Sequence, residues 1–108
     1  MEKKLRVGVV GIGILGVRNS RHFQHHPNTE TVCVVDPLFD RAEQMAAEVG
    51  ATPYRDYRDM LDNETLDLVV VSTPDPMHRG PVIASAEAGV PYILTEKPMA
   101  TTVVDGKL

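Results

Sequence analysis

The tract that most constrains this chain is Val7-Gly8-Val9-Val10-Gly11-Ile12-Gly13-Ile14-Leu15-Gly16. A short run of β-branched residues stops at three glycines spaced Gly-x-Gly-x-x-Gly, and a helical pattern begins directly behind it. Such a junction predicts a strand, a tight turn and a helix packed back onto the strand. The rest of the chain repeats that alternation. Leu5 to Val10 reads as a first strand, and Ile14 to about His26 as a helix stopped by Pro27. Thr31 to Val35 is a second strand ending at Asp36, and Leu38 to Val49 a helix closed by Gly50. Ala51 to Tyr54 reads as a short third strand and Tyr57 to Leu61 as one or two helical turns. Leu66 to Ser72 is a fourth strand, Val82 to Ala88 a helix closing at Gly89, and Pro91 to Thr95 a fifth strand.

Continuous apolar strands separated by helices imply a parallel sheet covered on both faces. Right-handed crossovers then lead to an α/β, doubly wound, Rossmann-like sheet with strand order 3-2-1-4-5. Gly80 as N-cap and Pro81 at the first helical position accommodate the proline, leaving residues 75–79 as a turn. At the far end, Thr102 reads as the N-cap of a helix, with Asp105 approximating a capping box. That helix would be cut short at Leu108, so the chain is expected to be a truncated piece. A missing edge strand would leave apolar surface open to water and favour self-association.

The 108 residues fit one domain. The net charge of −4 is interspersed, and no basic stripe with interleaved aromatics invites nucleic acid. No apolar run is long enough for a membrane span, and the start lacks a secretory pattern. A single cysteine excludes an internal disulfide, and together these absences suggest a cytoplasmic protein.

The glycine spacing alone is weak, but directly after a strand and opening a helix it has a mechanism. Gly11 permits the tight turn, Gly13 lets a pyrophosphate approach the backbone, and Gly16 lets helix and strand pack closely. Amides of Gly11, Ile12, Gly13, Ile14, Leu15 and Gly16 would then meet phosphate charge at a helix N-terminus. Asp36, twenty residues beyond Gly16, can accept hydrogen bonds from the adenosine ribose hydroxyls or cap the helix behind it, and both roles can coexist. A carboxylate there repels a 2′-phosphate, which favours NAD over NADP. Arg41 reaches toward the adenine edge or lies on a solvated helix face.

Ser72, Thr73, Pro74 and His78 follow the fourth strand, whose end shares a crevice with the first and fifth. Thr73 and Pro74 would line the nicotinamide-ribose side. His78 approaches the cofactor or packs the turn. Glu96-Lys97-Pro98 ends the fifth strand on the same rim. Lys97 is the candidate catalytic residue, donating to a substrate oxygen or shuttling a proton; a surface ion pair with Glu96 is the plainer reading. Glu96 would bond the nicotinamide ribose or compensate Lys97. No metal site is expected: His22, His25 and His26 lack a third ligand and suit a helix C-terminus. Cys33 and the methionines read as packing.

Three motifs stand in order: Gly-x-Gly-x-x-Gly, Thr-Pro-Asp-x-x-His, and Ala-Gly followed by Glu-Lys-Pro-x-Ala. From Val7 to Thr102 the chain resembles the N-terminal domain of the Gfo/Idh/MocA oxidoreductases. The resemblance implies NAD(P)-dependent hydride transfer at a sugar, polyol or related hydroxyl carbon. It also implies that Lys97 lies beside the nicotinamide and assists the reacting hydroxyl, and relatives suggest a cis Lys97–Pro98 bond. In such proteins a C-terminal α/β domain supplies Asp and His partners for the lysine, the small-molecule substrate contacts and the oligomer interface. The 108 residues alone are therefore expected to be inactive. A stand-alone dinucleotide-binding or sensing module is the alternative. An S-adenosylmethionine methyltransferase shares the glycines and the carboxylate, but the Glu-Lys-Pro step argues against it.

Overall fold

Valine-rich segments too short to form stable helices pair here into one sheet. The computed structural model describes residues 4–73, 79–97 and 100–105, of which 96–97 and 100–105 are described by their backbone. The elements run β1 (Leu5–Val10), α1 (Ile14–His25), β2 (Thr29–Val35), α2 (Phe39–Val49), β3 (Thr52–Tyr54) and α3 (Tyr57–Asn63). They continue with β4 (Leu68–Val71), α4 (Arg79–Glu87), β5 (Tyr92–Lys97) and β6 (Ala100–Asp105). The sheet order is β3-β2-β1-β4-β5-β6. All pairs from β3 to β5 are parallel. The predicted 3-2-1-4-5 core is thus present, with its strand order reversing between β1 and β4.

Alternation along the strands builds two cores. Val7, Val9, Val34 and Val70 point to one face and pack with Ala42 and Met45 of α2. Val35, Val69, Val71 and Ile93 point to the other and pack with Met60 of α3. Burying both faces is what a parallel sheet requires. Helix ends follow local chemistry: Asp56 caps α3 by accepting the Arg58 amide at 2.8 Å, and Gly50 ends α2 in the left-handed region at φ 74°.

Two expectations are corrected. Residues 102–105 do not open a helix; they belong to β6, which pairs antiparallel with β5 from Tyr92↔Asp105 to Lys97↔Ala100. Thr101-Thr102-Val103-Val104 is a β-branched run, a type that favours a strand once an edge is available. β6 also occupies the β5 edge that was expected to be open. The second correction concerns α4, which begins at Arg79 and not at Pro81. Pro81 still costs no hydrogen bond, because first-turn amides have no intrahelical acceptor. Smaller differences start β2 two residues earlier, at Thr29, and extend α3 to Asn63.

Candidate functional site at the carboxyl end of the sheet

At the end of β1 the chain turns through Gly11, whose φ of +92° lies in the left-handed region. A Cβ there would also stand 2.8 Å from Thr73 Cγ2, so only glycine suits the position. The Gly11 amide donates to the Val35 carbonyl at 2.7 Å, and the Ser72 amide donates to the Val10 carbonyl at 2.8 Å. These bonds tie the turn to β2 on one side and to the end of β4 on the other. Gly16 packs against the carbonyl of Gly11 so closely that a Cβ would stand 1.7 Å from that oxygen. A Cβ on Gly13, by contrast, would meet nothing within 4 Å. The three glycines thus serve three separate ends: conformation, open approach and close packing.

Gly13 is the N-cap of α1, and no side chain caps that helix end. Its first turn has no acidic residue, and the first amides of a helix lack intrahelical acceptors. The helix proper is entered when the Val17 amide donates to the Gly13 carbonyl at 2.9 Å. Uncapped amides, a positive dipole end and open space above Gly13 form a place where an anion fits. Ile14 is 90% exposed at this end and Ile12 is buried beneath it.

Asp36 follows β2 and is buried. Its Oδ2 accepts the Ile12 amide at 2.8 Å, and its Oδ1 accepts the Leu38 amide at 2.8 Å. The carboxylate therefore braces the turn before α2, whose N-cap Leu38 has no side-chain cap, and also grips the glycine turn. Arg41 is exposed in the first turn of α2. It lies on the wall of a shallow cleft between α1 and α2, with Ile12, Val17 and Met45. Across the crevice, Asn19 Nδ2 of α1 donates to Ser72 Oγ at 2.9 Å. The Thr73 hydroxyl oxygen is buried with no hydrogen-bond partner among the described residues, a group that invites a ligand donor or acceptor.

The turn 11–16, Asp36, Ser72 and Thr73 therefore meet at one rim. The backbone of Glu96 and Lys97 ends β5 on that rim. Pro74, His78 and the Lys97–Pro98 bond lie outside the described residues, as do the side chains of Glu96 and Lys97. Asn19 was missed from the sequence, where a lone polar residue in a helix carries no signal. So was the bond from Asp36 to Ile12, because spacing does not show which amide a carboxylate meets. No group of three or more His, Cys, Asp or Glu suited to a metal occurs among the described residues.

The strongly shifted groups sit elsewhere. Burial pushes the Cys33 thiol up, with the Glu64 charge adding to it. Burial and a bond to Glu64 push the Tyr54 phenol up to about 12. Both pack on the α3 side of the sheet, so they belong to its interior rather than to the rim.

A doubly wound sheet with a glycine turn after its first strand and a carboxylate ending its second defines a dinucleotide-binding domain. The family model of Gfo/Idh/MocA, described as "Oxidoreductase family, NAD-binding Rossmann fold", matches residues 5–107, and the chain belongs to that family. It is 35% identical over 109 residues to the scyllo-inositol 2-dehydrogenase (NAD(+)) of Bacillus subtilis strain 168, covering 99% of this chain and 32% of that one. The myo-inositol 2-dehydrogenase structure from Lactobacillus plantarum superposes with a TM-score of 0.81 at 31% identity, over 91% of this chain and 29% of that one. The WlbA dehydrogenase of Bordetella pertussis, in complex with NADH and UDP-GlcNAcA, also gives 0.81 at 32% identity, over 91% and 30%. The chain thus spans about a third of the length of these relatives. The methyltransferase alternative is set aside by the family match.

Proposed function

We propose that this chain binds NAD across the turn 11–16 and serves as the cofactor-holding part of an oxidoreductase acting on a sugar, polyol or related hydroxyl carbon. The observation that carries the reading is the open space over Gly13 at the uncapped end of α1, with Asp36 behind it. The residues present fit the cofactor: amides of Gly13 to Gly16 would hold the diphosphate, Asp36 the adenosine ribose, and Ser72 and Thr73 the nicotinamide side. Arg41 would approach the adenine edge. The nicotinamide, when bound, supplies a hydride acceptor or donor.

Lys97 would hold the reacting hydroxyl by donating a hydrogen bond and moving its proton, while Glu96 would bond the nicotinamide ribose and His78 would approach the cofactor. About two thirds of the length of the Bacillus relative lies outside the matched region. Substrate contacts and partners for Lys97 are proposed to come from such a region. The outer edge of β6, last in the sheet order, would receive a second copy of the chain. A cytoplasmic setting fits the one buried, unpaired cysteine.

Calorimetric titration with NADH, NADPH and S-adenosylmethionine tests the reading. NADH should bind more tightly than NADPH, and S-adenosylmethionine should not bind. Binding of S-adenosylmethionine alone, or of none of the three, would contradict it. In an active form containing this chain, Lys97→Ala should abolish turnover and leave NADH affinity within about twofold, since a donor to the substrate adds little to cofactor binding. Unchanged turnover would remove Lys97 from the chemistry, and inactivity of the unmodified protein with intact NADH binding would favour a non-catalytic module.

A further inference from the structure

Asp36 is 5% exposed, and both of its carboxylate oxygens are already engaged by backbone amides, those of Ile12 and Leu38. A residue needed only as a ribose acceptor would not require either bond. Ile12 lies between Gly11 and Gly13, where the backbone is at its most permissive. No side chain caps the helix that follows. A charge-assisted bond from a buried carboxylate is strong enough to hold one peptide plane in such a turn. We infer that Asp36 is a positioning residue for the anion-holding turn: by fixing the Ile12 amide it aims the amides of Gly13 to Gly16 at the space above Gly13. The inference rests on the dinucleotide reading given above.

Charge and position make opposite demands at this residue. A carboxylate next to a diphosphate repels it, so neutralising Asp36 should tighten diphosphate binding if charge alone matters. If Asp36 shapes the turn, the same change should weaken it. The two backbone bonds also stop the carboxylate from rotating away from an incoming 2′-phosphate. Discrimination between NAD and NADP is then anchored in the backbone rather than in a free rotamer.

The test uses Asp36→Ala, which leaves the amides of Ile12 and Leu38 both without their acceptor. The chain and the variant are titrated with adenosine diphosphate and with 2′,3′-dideoxyadenosine diphosphate, which has no hydroxyls for a carboxylate. The variant should bind the dideoxy compound about tenfold more weakly. Unchanged or tighter binding of that compound, with adenosine diphosphate weakened, would reduce Asp36 to a ribose ligand and overturn the inference.

Amide hydrogen exchange in the ligand-free chain gives a second arm. Ile12 should exchange more slowly than Leu15, and in the variant Ile12 should speed up about tenfold while Val9 and Val34 keep their rates. If the variant loses its fold, the unmodified chain still decides: Ile12 exchanging as fast as Leu15 would overturn the inference. Failure of the unmodified chain to bind adenosine diphosphate would instead count against the dinucleotide reading, and the exchange arm would stand apart from it.

Discussion

At Gly13 and Gly16 the same substitution has opposite meanings. Gly16→Ala drives a Cβ to 1.7 Å from the Gly11 carbonyl oxygen, an overlap with backbone that no rotamer relieves. We expect it to cost more than about 3 kcal/mol in urea unfolding, the range of severe packing violations. Gly13→Ala meets nothing within 4 Å, and its φ of −88° is open to any residue. Stability should fall by less than about 1 kcal/mol, the N-cap preference of glycine over alanine. NADH affinity, however, should drop at least about tenfold, because the methyl fills the phosphate's approach. Equal stability losses for the two, or unchanged NADH binding by Gly13→Ala, would contradict the roles assigned. The tight turn at Gly11 and the close packing at Gly16 were legible in the sequence because glycine spacing encodes them directly. The grip of Asp36 on Ile12 and the bond from Asn19 to Ser72 were not, since each depends on how separate elements meet.

Glu64, just beyond α3, joins three elements that the sequence left unrelated. It receives Arg6 of β1 at 2.9 Å and the Tyr54 hydroxyl of β3 at 2.7 Å. The folded-state phenol is raised from 10.0 to about 12, so folding favours its neutral form. The associated stability is fully present below pH 10 and is lost as pH rises toward 12. Wild type should therefore exceed Tyr54→Phe in urea unfolding at about pH 9 and lose that margin by about pH 12. A margin independent of pH would contradict a folded-state phenol kept neutral by burial and by its bond to Glu64. Element type was legible wherever a long pattern existed, as in β1 and α2. It failed at 102–105, where Thr102 and Asp105 mimic a helix start. A strand was chosen there because β5 supplies a pairing edge, a tertiary fact absent from any local window. Pro81 was misplaced by two residues for the converse reason: the first turn of a helix tolerates proline at more than one position.

Across the whole molecule, sheet order matters more than any single motif. The reversal between β1 and β4 gathers segments far apart in the chain, so that Gly11 leaves no room for a Cβ beside Thr73 and Asn19 reaches Ser72. The 3-2-1-4-5 core was legible because buried parallel strands and right-handed crossovers leave few alternatives. The rim was legible as a place, because the ends of β1, β4 and β5 lie side by side there. The central claim is that backbone amides around residues 13–16 hold the diphosphate of NAD. The most direct measurement is a ¹H–¹⁵N correlation titration of the labelled chain with NAD. The account predicts that the amides of Gly13, Ile14, Leu15 and Gly16 shift first and furthest, while those around Arg6 and Glu64 at the opposite end of the sheet stay in place. Saturable binding that leaves the four turn amides unmoved would contradict it.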